Sequence, residues 1–585
     1  MPALRLEIPD CPSDQLERLQ LELGVSGPVA QVLVRRGLAD PARAQAFLAA
    51  TEEYPPSAFA GIGAAVESIL AHARRGERIT VHGDYDVDGV CSTALLVRTL
   101  RAIGADVDWI LPDRASDGYG LGQGTVRRLA ARGTRLLVTV DCAITAVEEV
   151  ALAASLGIEV VVTDHHAPRA DGLLPRAPIV HPAVCGYPCV DLCATAVAYK
   201  LAQALTEALG GDASELEQEL DLVALATIAD VVTLTGENRT LVRRGLRALA
   251  GTSKPGLRAL MGDARVDSSR LNERSVAFAL APRLNAAGRM SRADAALELL
   301  LTTDPARAVE VSEELGRANR DRKQVQRRIA SQAEAQISAL GERTAYVLAG
   351  EDWHAGVIGI VASRLAERHH RPVVLIALDR DAGKGSGRSI EGFDLLGGLT
   401  ACGGHLVRFG GHRAAAGLEI ERERVEDFAA ALCEHARDAL RPADMVAVER
   451  VDAVVGGDEL GMALAEELQA LAPFGRGNPG VSLLVADATF RDGRPMGEGK
   501  HVRFTVESRG ARARAVAFGT GGRLPVEDGA PAEATFTLEV NEWNGVSEPR
   551  LVLRQARAAP RACADREQDL AGVPAGENLV LFATP

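Results

Sequence analysis

The chain has 585 residues, of which 47% are hydrophobic and 25% charged, a composition that excludes disorder and, at this length, calls for about three to five domains. Its formal net charge of −14 argues weakly against a protein that coats nucleic acid with a basic surface and leaves room for a local basic groove. The start, MPALRLEIPDCPSDQ, has no basic segment ahead of an apolar one, no long uncharged apolar run follows, and nine cysteines are scattered without a dense framework; a cytoplasmic chain with reduced thiols and no membrane span is expected.

In chain order, residues 1–55 read as a helical lead-in, with LERLQLELG, PVAQVLVRRG and PARAQAFLAA each closing on a turn or small-residue signal. Residues 56–235 alternate strand-length apolar runs with helical stretches: RITVHGDYD, STALLVRTLRAIG, DVDWILPD, GQGTVRRLAARG, LLVTVDC, AVEEVALAASLG and EVVVTDHH. This is the rhythm of an open parallel α/β sheet. Residues 236–340 are rich in Ala, Leu, Arg and Glu and end in a long helical stretch from 304 to 340, read as a connecting helix. A second α/β domain is expected over 341–440, an OB-like β-barrel over 441–560, and a C-terminal tail over 561–585.

The acidic and histidine residues fall at the carboxyl ends of the first domain's strands, where open α/β folds place their ligand crevice. The run from Val81 to Gly89 packs His82, Asp84, Asp86 and Asp88 together, and carboxylates this close raise one another's pKa unless divalent cations neutralise them. Asp141 in VTVDC, Asp164, His165 and His166 in VVVTDHH, and Asp230 in LATIADVV repeat the pattern. A single Asp at a strand end is as readily a helix N-cap, but four segments together supply ligands for two ions. Oxygen and imidazole donors without thiolate favour Mn²⁺ or Mg²⁺ over structural zinc. One ion would activate water and the other steady the leaving oxygen of a phosphate ester. Cys185, Cys189 and Cys193 match no common zinc spacing, and Tyr85 and Cys142 are expected to pack.

The segments DYDVDG, VDC, TDHH and ATIADVV resemble the first four motifs of the DHH phosphoesterase superfamily, in the order of its RecJ family. PRLNAAGRM, GEDWHAGVIGIVASRL, GKGSGRSIEGFDLL, FGGHRAAAGLEI and LAPFGRGNP resemble further segments of that family, so the resemblance spans nearly the whole chain. It implies a DHH catalytic domain, a DHH-associated domain and an OB-fold, and a single-strand-specific 5′ to 3′ exonuclease that releases mononucleotides in recombination and repair. Asp84, Asp86, Asp141, His165 and Asp230 are then the foremost ligands, with Asp141 bridging and His166 joining the catalytic set. His82, Asp88, Asp164 and His166 either ligate or hold the ligands in place. Ala143 stands where the family more often has Gly, and His181 where an Asn is common.

A 5′ exonuclease measures from the chain end, and planar arginines recognise a terminal phosphate through paired hydrogen bonds. The resemblance assigns that role to Arg114, Asn285, Arg289, Ser386, Arg388, His412 and Arg413, with the glycines of GKGSGRS expected to admit phosphate close to the backbone. Aromatics are only 4% of the chain, leaving Tyr119, Trp353 and Phe409 as individual stacking candidates. The implied partners are single-stranded DNA with a free 5′ end and, through the family, a helicase and a single-strand-binding protein, the chain itself being a monomer. Two other readings stay open: a phosphodiesterase for short oligonucleotides or cyclic dinucleotides, and a DNA-binding scaffold without hydrolysis.

Overall fold

The computed structural model describes residues 4–114, 118–543 and 545–559; the tail over 561–585 lies outside them. The chain divides into two compact units, Glu52–Met445 and a second made of Met1–Thr51 with Val446–Pro585.

In the unit Glu52–Met445, the strands Ile79–His82, Val107–Ile110, Leu136–Thr139, Glu159–Thr163 and Ile179–Val180 form one all-parallel sheet. The apolar runs ITVH and LLVT are buried at every residue, as expected of strands covered on both faces. Ile79–His82 lies between Val107–Ile110 and Leu136–Thr139. The chain thus moves from Ile79–His82 to one neighbour and then crosses back to the other. That reversal opens a crevice at the carboxyl ends of Ile79–His82 and Leu136–Thr139, the two strands that run into Asp84 and Asp141.

The helices Val87–Ala102, Ala194–Ala208 and Leu220–Ala229 share one large apolar core with the sheet, and helix Asp294–Leu301 extends it. The predicted connecting helix is Pro305–Leu340, capped at its start by the Asp304 side chain. It leads to a mixed sheet in which Tyr346–Glu351 and Val373–Asp379 are parallel and Ala382–Arg388, Ala415–Glu421 and Arg408–Gly411 continue antiparallel. Helix Ala355–His369 packs on this sheet.

In the other unit, the strands Leu483–Met496, His501–Ser508, Ala511–Ala517, Pro531–Trp543 and Val546–Ala558 close into a five-stranded barrel through the pairing of Leu483–Met496 with Pro531–Trp543. The helices Ser13–Leu23, Gly27–Arg35 and Pro41–Ala49, read from sequence as a lead-in, share the barrel's apolar core through Leu19, Val32, Leu33, Val485 and Phe536. A strand absent from the sequence reading, Leu4–Glu7, pairs in parallel with Ala447–Arg450.

Candidate metal centre and phosphate pocket

The loop after Ile79–His82 is folded tightly onto the first turn of helix Val87–Ala102. A methyl group at Gly89 would lie 2.4 Å from the Asp84 nitrogen, and one at Gly83 would lie 2.7 Å from the Gly89 carbonyl oxygen, so only glycine lets the loop lie this close. Asp86 caps that helix, its Oδ1 accepting from the Asp88 and Gly89 amides at 2.9 and 3.1 Å. Asp84 is buried and its Oδ1 has no hydrogen-bond partner among the described residues. Such an orphaned acceptor in a crowd of carboxylates fits a cation.

Asp84, Asp86 and Asp141 place oxygens within 4.8 Å of one another; Asp141, His165 and His166 do the same, as do Asp88, His165 and Asp230. Asp141 belongs to two of these groups and His165 to two, so the seven residues form one continuous cluster. His165 Nε2 lies 3.2 Å from Asp141, 3.7 Å from Asp88 and 3.8 Å from Asp230. Burial, and then the neighbouring carboxylates, hold the Asp84 and Asp141 carboxyls well above their ordinary range and raise Asp86 as well. Burial lowers His165, favouring the neutral ring that a metal requires. Oxygens and imidazoles without a thiolate suit Mn²⁺ or Mg²⁺, while the Cys142 thiol faces His82 Nδ1 at 3.5 Å.

Three of the predicted residues, Asp88, Asp164 and His166, hydrogen-bond their neighbours around the cluster. Both oxygens of Asp88 are engaged at the start of helix Ala194–Ala208, accepting from the Ala194 amide at 2.7 Å, the Thr195 amide at 2.8 Å and the Thr195 hydroxyl at 2.6 Å. Asp164 accepts from the amides of Ile144, His165 and His166 at 2.9, 2.7 and 3.1 Å and lies 2.8 Å from His166 Nδ1. Burial alone would lift the Asp164 carboxyl, but the bond to His166 keeps it below its usual value. His166 is raised to about 8, the bond to Asp164 outweighing burial. His82 is fully buried, its Nδ1 against the Cys142 thiol.

Three further residues organise the centre. The Tyr119 hydroxyl donates to the Asp141 carbonyl at 3.1 Å and lies 2.9 Å from His166 Nδ1; it is tied to the loop. His181 accepts the Ala183 and Val184 amides on Nδ1, both at 3.2 Å, so its Nε2–H donates to the His166 carbonyl at 2.8 Å. The Ala183 and Val184 bonds fix the tautomer and make His181 a clamp on the His165–His166 loop. Asn285 accepts from the Val87 amide at 3.1 Å and braces the Asp86 loop from helix Ala281–Met290.

Beside the centre lies a cavity of about 810 Å³ lined by Arg114, Arg289, Ser386, Arg388, Trp353, Phe409 and their neighbours. Tyr85 joins the two sites: it lies between Asp84 and Asp86, the Arg114 guanidinium sits 4.9 Å over its ring, and its carbonyl abuts Gly288, where a methyl group would come within 2.4 Å. Arg289 donates to the Gly356 carbonyl at 3.3 Å, and Arg388 to the Ser386 hydroxyl and the Gly387 carbonyl at 3.0 and 2.8 Å. Burial, then Arg114 and Arg322, pull the Arg289 guanidinium down to about 10, and burial with Arg114 lowers Arg388. Cations that depress one another in this way call for an anion.

The other predicted DNA contacts lie elsewhere. His412 and Arg413 are exposed in the turn between Arg408–Gly411 and Ala415–Glu421, outside the cavity lining. The glycines of GKGSGRS serve packing more than phosphate approach, because methyl groups at Gly385 and Gly387 would meet Leu418 at 2.6 Å and Leu395 at 2.8 Å. Trp353 is buried and donates to Gln332 at 2.7 Å, so it forms a cavity wall.

A parallel α/β domain with a carboxylate and imidazole cluster at its switch point, followed by a mixed α/β domain that carries arginines to the same crevice, defines the DHH class of metal-dependent phosphoesterases. Residues 78–227 match the DHH family, N-terminal domain, residues 341–438 the DHHA1 domain, and residues 451–555 the RecJ OB domain. The single-stranded-DNA-specific exonuclease RecJ of Bacillus subtilis (strain 168) is 37% identical over 565 residues, covering 94% of this chain and 71% of that protein. The crystal structure of Thermus thermophilus RecJ in complex with Mn²⁺ superposes with a TM-score of 0.83 at 32% identity, covering 96% of this chain and 80% of that one. The same protein in complex with Mg²⁺ gives a TM-score of 0.78 at 31% identity, with coverages of 96% and 79%. The chain belongs to the RecJ family.

Proposed function

We propose that the chain is a metal-dependent, single-strand-specific DNA exonuclease that works from the 5′ end and releases mononucleotides with two Mn²⁺ or Mg²⁺ ions. The observation that carries the polarity is the link through Tyr85 between the carboxylate cluster and the cavity of Arg114, Arg289 and Arg388. A strand whose terminal phosphate is held by those arginines presents its next phosphodiester to the cluster.

In this reading Asp84, Asp86, Asp141, His165 and Asp230 hold the ions, with Asp141 between them. Asp88, Asp164, His82 and Asn285 fix the loops that carry those ligands. Bound ions would supply Lewis acidity to the phosphodiester and ease deprotonation of water. His166 keeps a proton on Nδ1, directed at Asp164, and leaves its other edge to the reacting groups. Arg289 and Ser386 with Arg388 orient the chain end, which turns binding energy into alignment of the scissile bond. By family, the chain acts as a monomer in the cytoplasm, on strands exposed by a helicase and held by a single-strand-binding protein.

End-labelled single strands and duplexes, with 5′-phosphate, 5′-hydroxyl or blocked ends, test this with Mn²⁺ or Mg²⁺ present. Mononucleotides from free 5′ ends of single strands are expected. Cleavage confined to very short or cyclic substrates, or release from 3′ ends, would overturn it.

A further inference from the structure

The middle of the connecting helix Pro305–Leu340 reads RDRKQVQRR from Arg320 to Arg328, a run outside both the metal cluster and the lining of the arginine cavity. At about 3.6 residues per turn, Arg320, Lys323 and Arg327 share one stripe with Gly316, Gln324 and Ser331, and all three cations are exposed. Asp321, the acid of the run, lies about 100° or more around the helix from each of them. Like charges at i, i+3 and i, i+4 work against a helix, so this stripe is held at a cost to the fold.

Two further cations join it. Arg364 is exposed on helix Ala355–His369, which packs against the connecting helix. Arg322 is buried beneath and donates only to neutral acceptors, Asn319 at 2.9 and 3.2 Å and Gln326 at 3.0 Å. Burial, then Arg364, lowers the Arg322 guanidinium; burial, then Arg283, Arg322, Arg327 and Arg364, lowers the Lys323 amine.

The carboxylates around the stripe do not cancel it. Asp263 is matched by Arg283 at 2.7 Å, Glu313 by Arg317 at 3.9 Å, and Glu334 by Arg368 at 2.7 Å and His369 at 3.1 Å. Arg320, Arg322, Lys323, Arg327 and Arg364 make no ion pair among the described residues. Setting Asp321 against Arg320 and Glu367 against Arg364 still leaves Arg322, Lys323 and Arg327 uncompensated.

From Arg320 to Arg327 the stripe runs about 10 Å along the helix, the length of about three phosphates of one DNA strand. It carries no aromatic ring and no apolar side chain, so it has nothing to stack on a base and no anchor for a peptide. A row of cations of this kind suits phosphates read without regard to sequence.

We propose that this ridge is a second nucleic-acid contact, separate from the metal centre and the phosphate pocket, that grips the phosphodiester backbone of a polymeric strand. The inference rests on reading the chain as an enzyme of nucleic acid, and it concerns binding alone.

The test combines Lys323→Gln with Arg327→Gln in the full-length protein. Binding of a labelled single strand of about 30 nucleotides, longer than one binding module covers, is followed by fluorescence anisotropy in EDTA across a salt series. At about 0.1 M salt the affinity should fall about tenfold or more, and the slope of log K against log[salt] should shrink by about 1.4, each phosphate contact contributing about 0.7. Arg343→Gln with Arg437→Gln removes the same charge at exposed positions around another cavity of this unit and should change affinity less than about twofold. The melting temperature of the ridge variant should not fall. Unchanged affinity and slope, or an equal loss in the control pair, would overturn the proposal, as would a polyglutamate peptide of matched charge that competes as well as the strand does. A parent protein that binds long strands through the ridge yet releases no mononucleotides would instead overturn the exonuclease reading.

Discussion

Replacing Asp88 with Asn separates anchoring from ligation at the position where sequence leaves both open. The Asp88 carboxylate takes three hydrogen bonds from Ala194 and Thr195 at the start of helix Ala194–Ala208. Asparagine keeps one acceptor and turns an NH₂ group toward the donors served by the other. Loss of a buried bond to a charged acceptor costs about 1.5–3 kcal/mol, and loss of negative charge at a partly buried helix N-terminus costs up to about 2 kcal/mol more. A total near 3–4 kcal/mol is expected. Melting shifts by about 2–4 °C per kcal/mol in domains of 150–250 residues and by less in larger ones; for the unit Glu52–Met445 a drop of roughly 3–6 °C follows. Thermal unfolding of the full chain in EDTA, followed by circular dichroism, reads it. A variant that melts with the parent in EDTA but has lost Mn²⁺ affinity would refute the anchoring role and make Asp88 a ligand.

Asp141→Asn should abolish Mn²⁺-dependent cleavage while raising the metal-free melting temperature, because it removes a charge that burial and four neighbouring carboxylates disfavour; retained cleavage would count against a bridging role. Metal-free protein should lose stability as pH rises from 7 to 9. Asp84, Asp86 and Asp141 bind protons more tightly folded than unfolded, and His166, raised to about 8 from 6.5, adds stability that is present below about pH 6.5 and lost as pH passes 8. Saturating Mn²⁺ should flatten this slope, as melting curves across the range will show. Gly288→Ala places a methyl group 2.4 Å from the Tyr85 carbonyl oxygen and should cost about 1–3 kcal/mol together with a fall in kcat, checked by melting and steady-state kinetics. Ala143 holds a φ of +84°, and Ala143→Gly relieves about 1–2 kcal/mol of left-handed strain. Because glycine also adds about 0.4–1 kcal/mol of unfolded-chain entropy and forfeits a buried methyl worth about 0.8 kcal/mol, the melting temperature should barely move.

Much of the catalytic domain was legible in the sequence because its signals are local. Runs such as ITVH and LLVT are buried at every residue, and each leads within two residues into an aspartate, Asp84 or Asp141, so both sheet and crevice follow from the pattern. The residues that organise the site were harder to see. Asp88 meets Ala194 and Thr195 more than a hundred positions away, and nothing in CATAVAY marks the receiving helix. His181 stood out only as a departure, and its clamp on the His166 carbonyl required the strand Ile179–Val180 to be in place. The N-terminal helices looked like a separate lead-in because helical periodicity reports a buried face and not what buries it; their partner is the barrel some 430 residues later. His412 and Arg413 share a glycine-rich context with Arg388, yet the hairpin carries them to its exposed tip.

The most direct measurement compares cleavage of a 5′-phosphorylated single strand with its 5′-hydroxyl counterpart, in the parent and in Arg388→Gln, with Mn²⁺ saturating. If the arginine cavity seats the terminal phosphate for the metal centre, the parent favours the phosphorylated strand in kcat/KM, and the substitution erases most of that preference while the 5′-hydroxyl strand is cut much as before. Equal loss on both strands, or a preference that survives the substitution, would contradict the account.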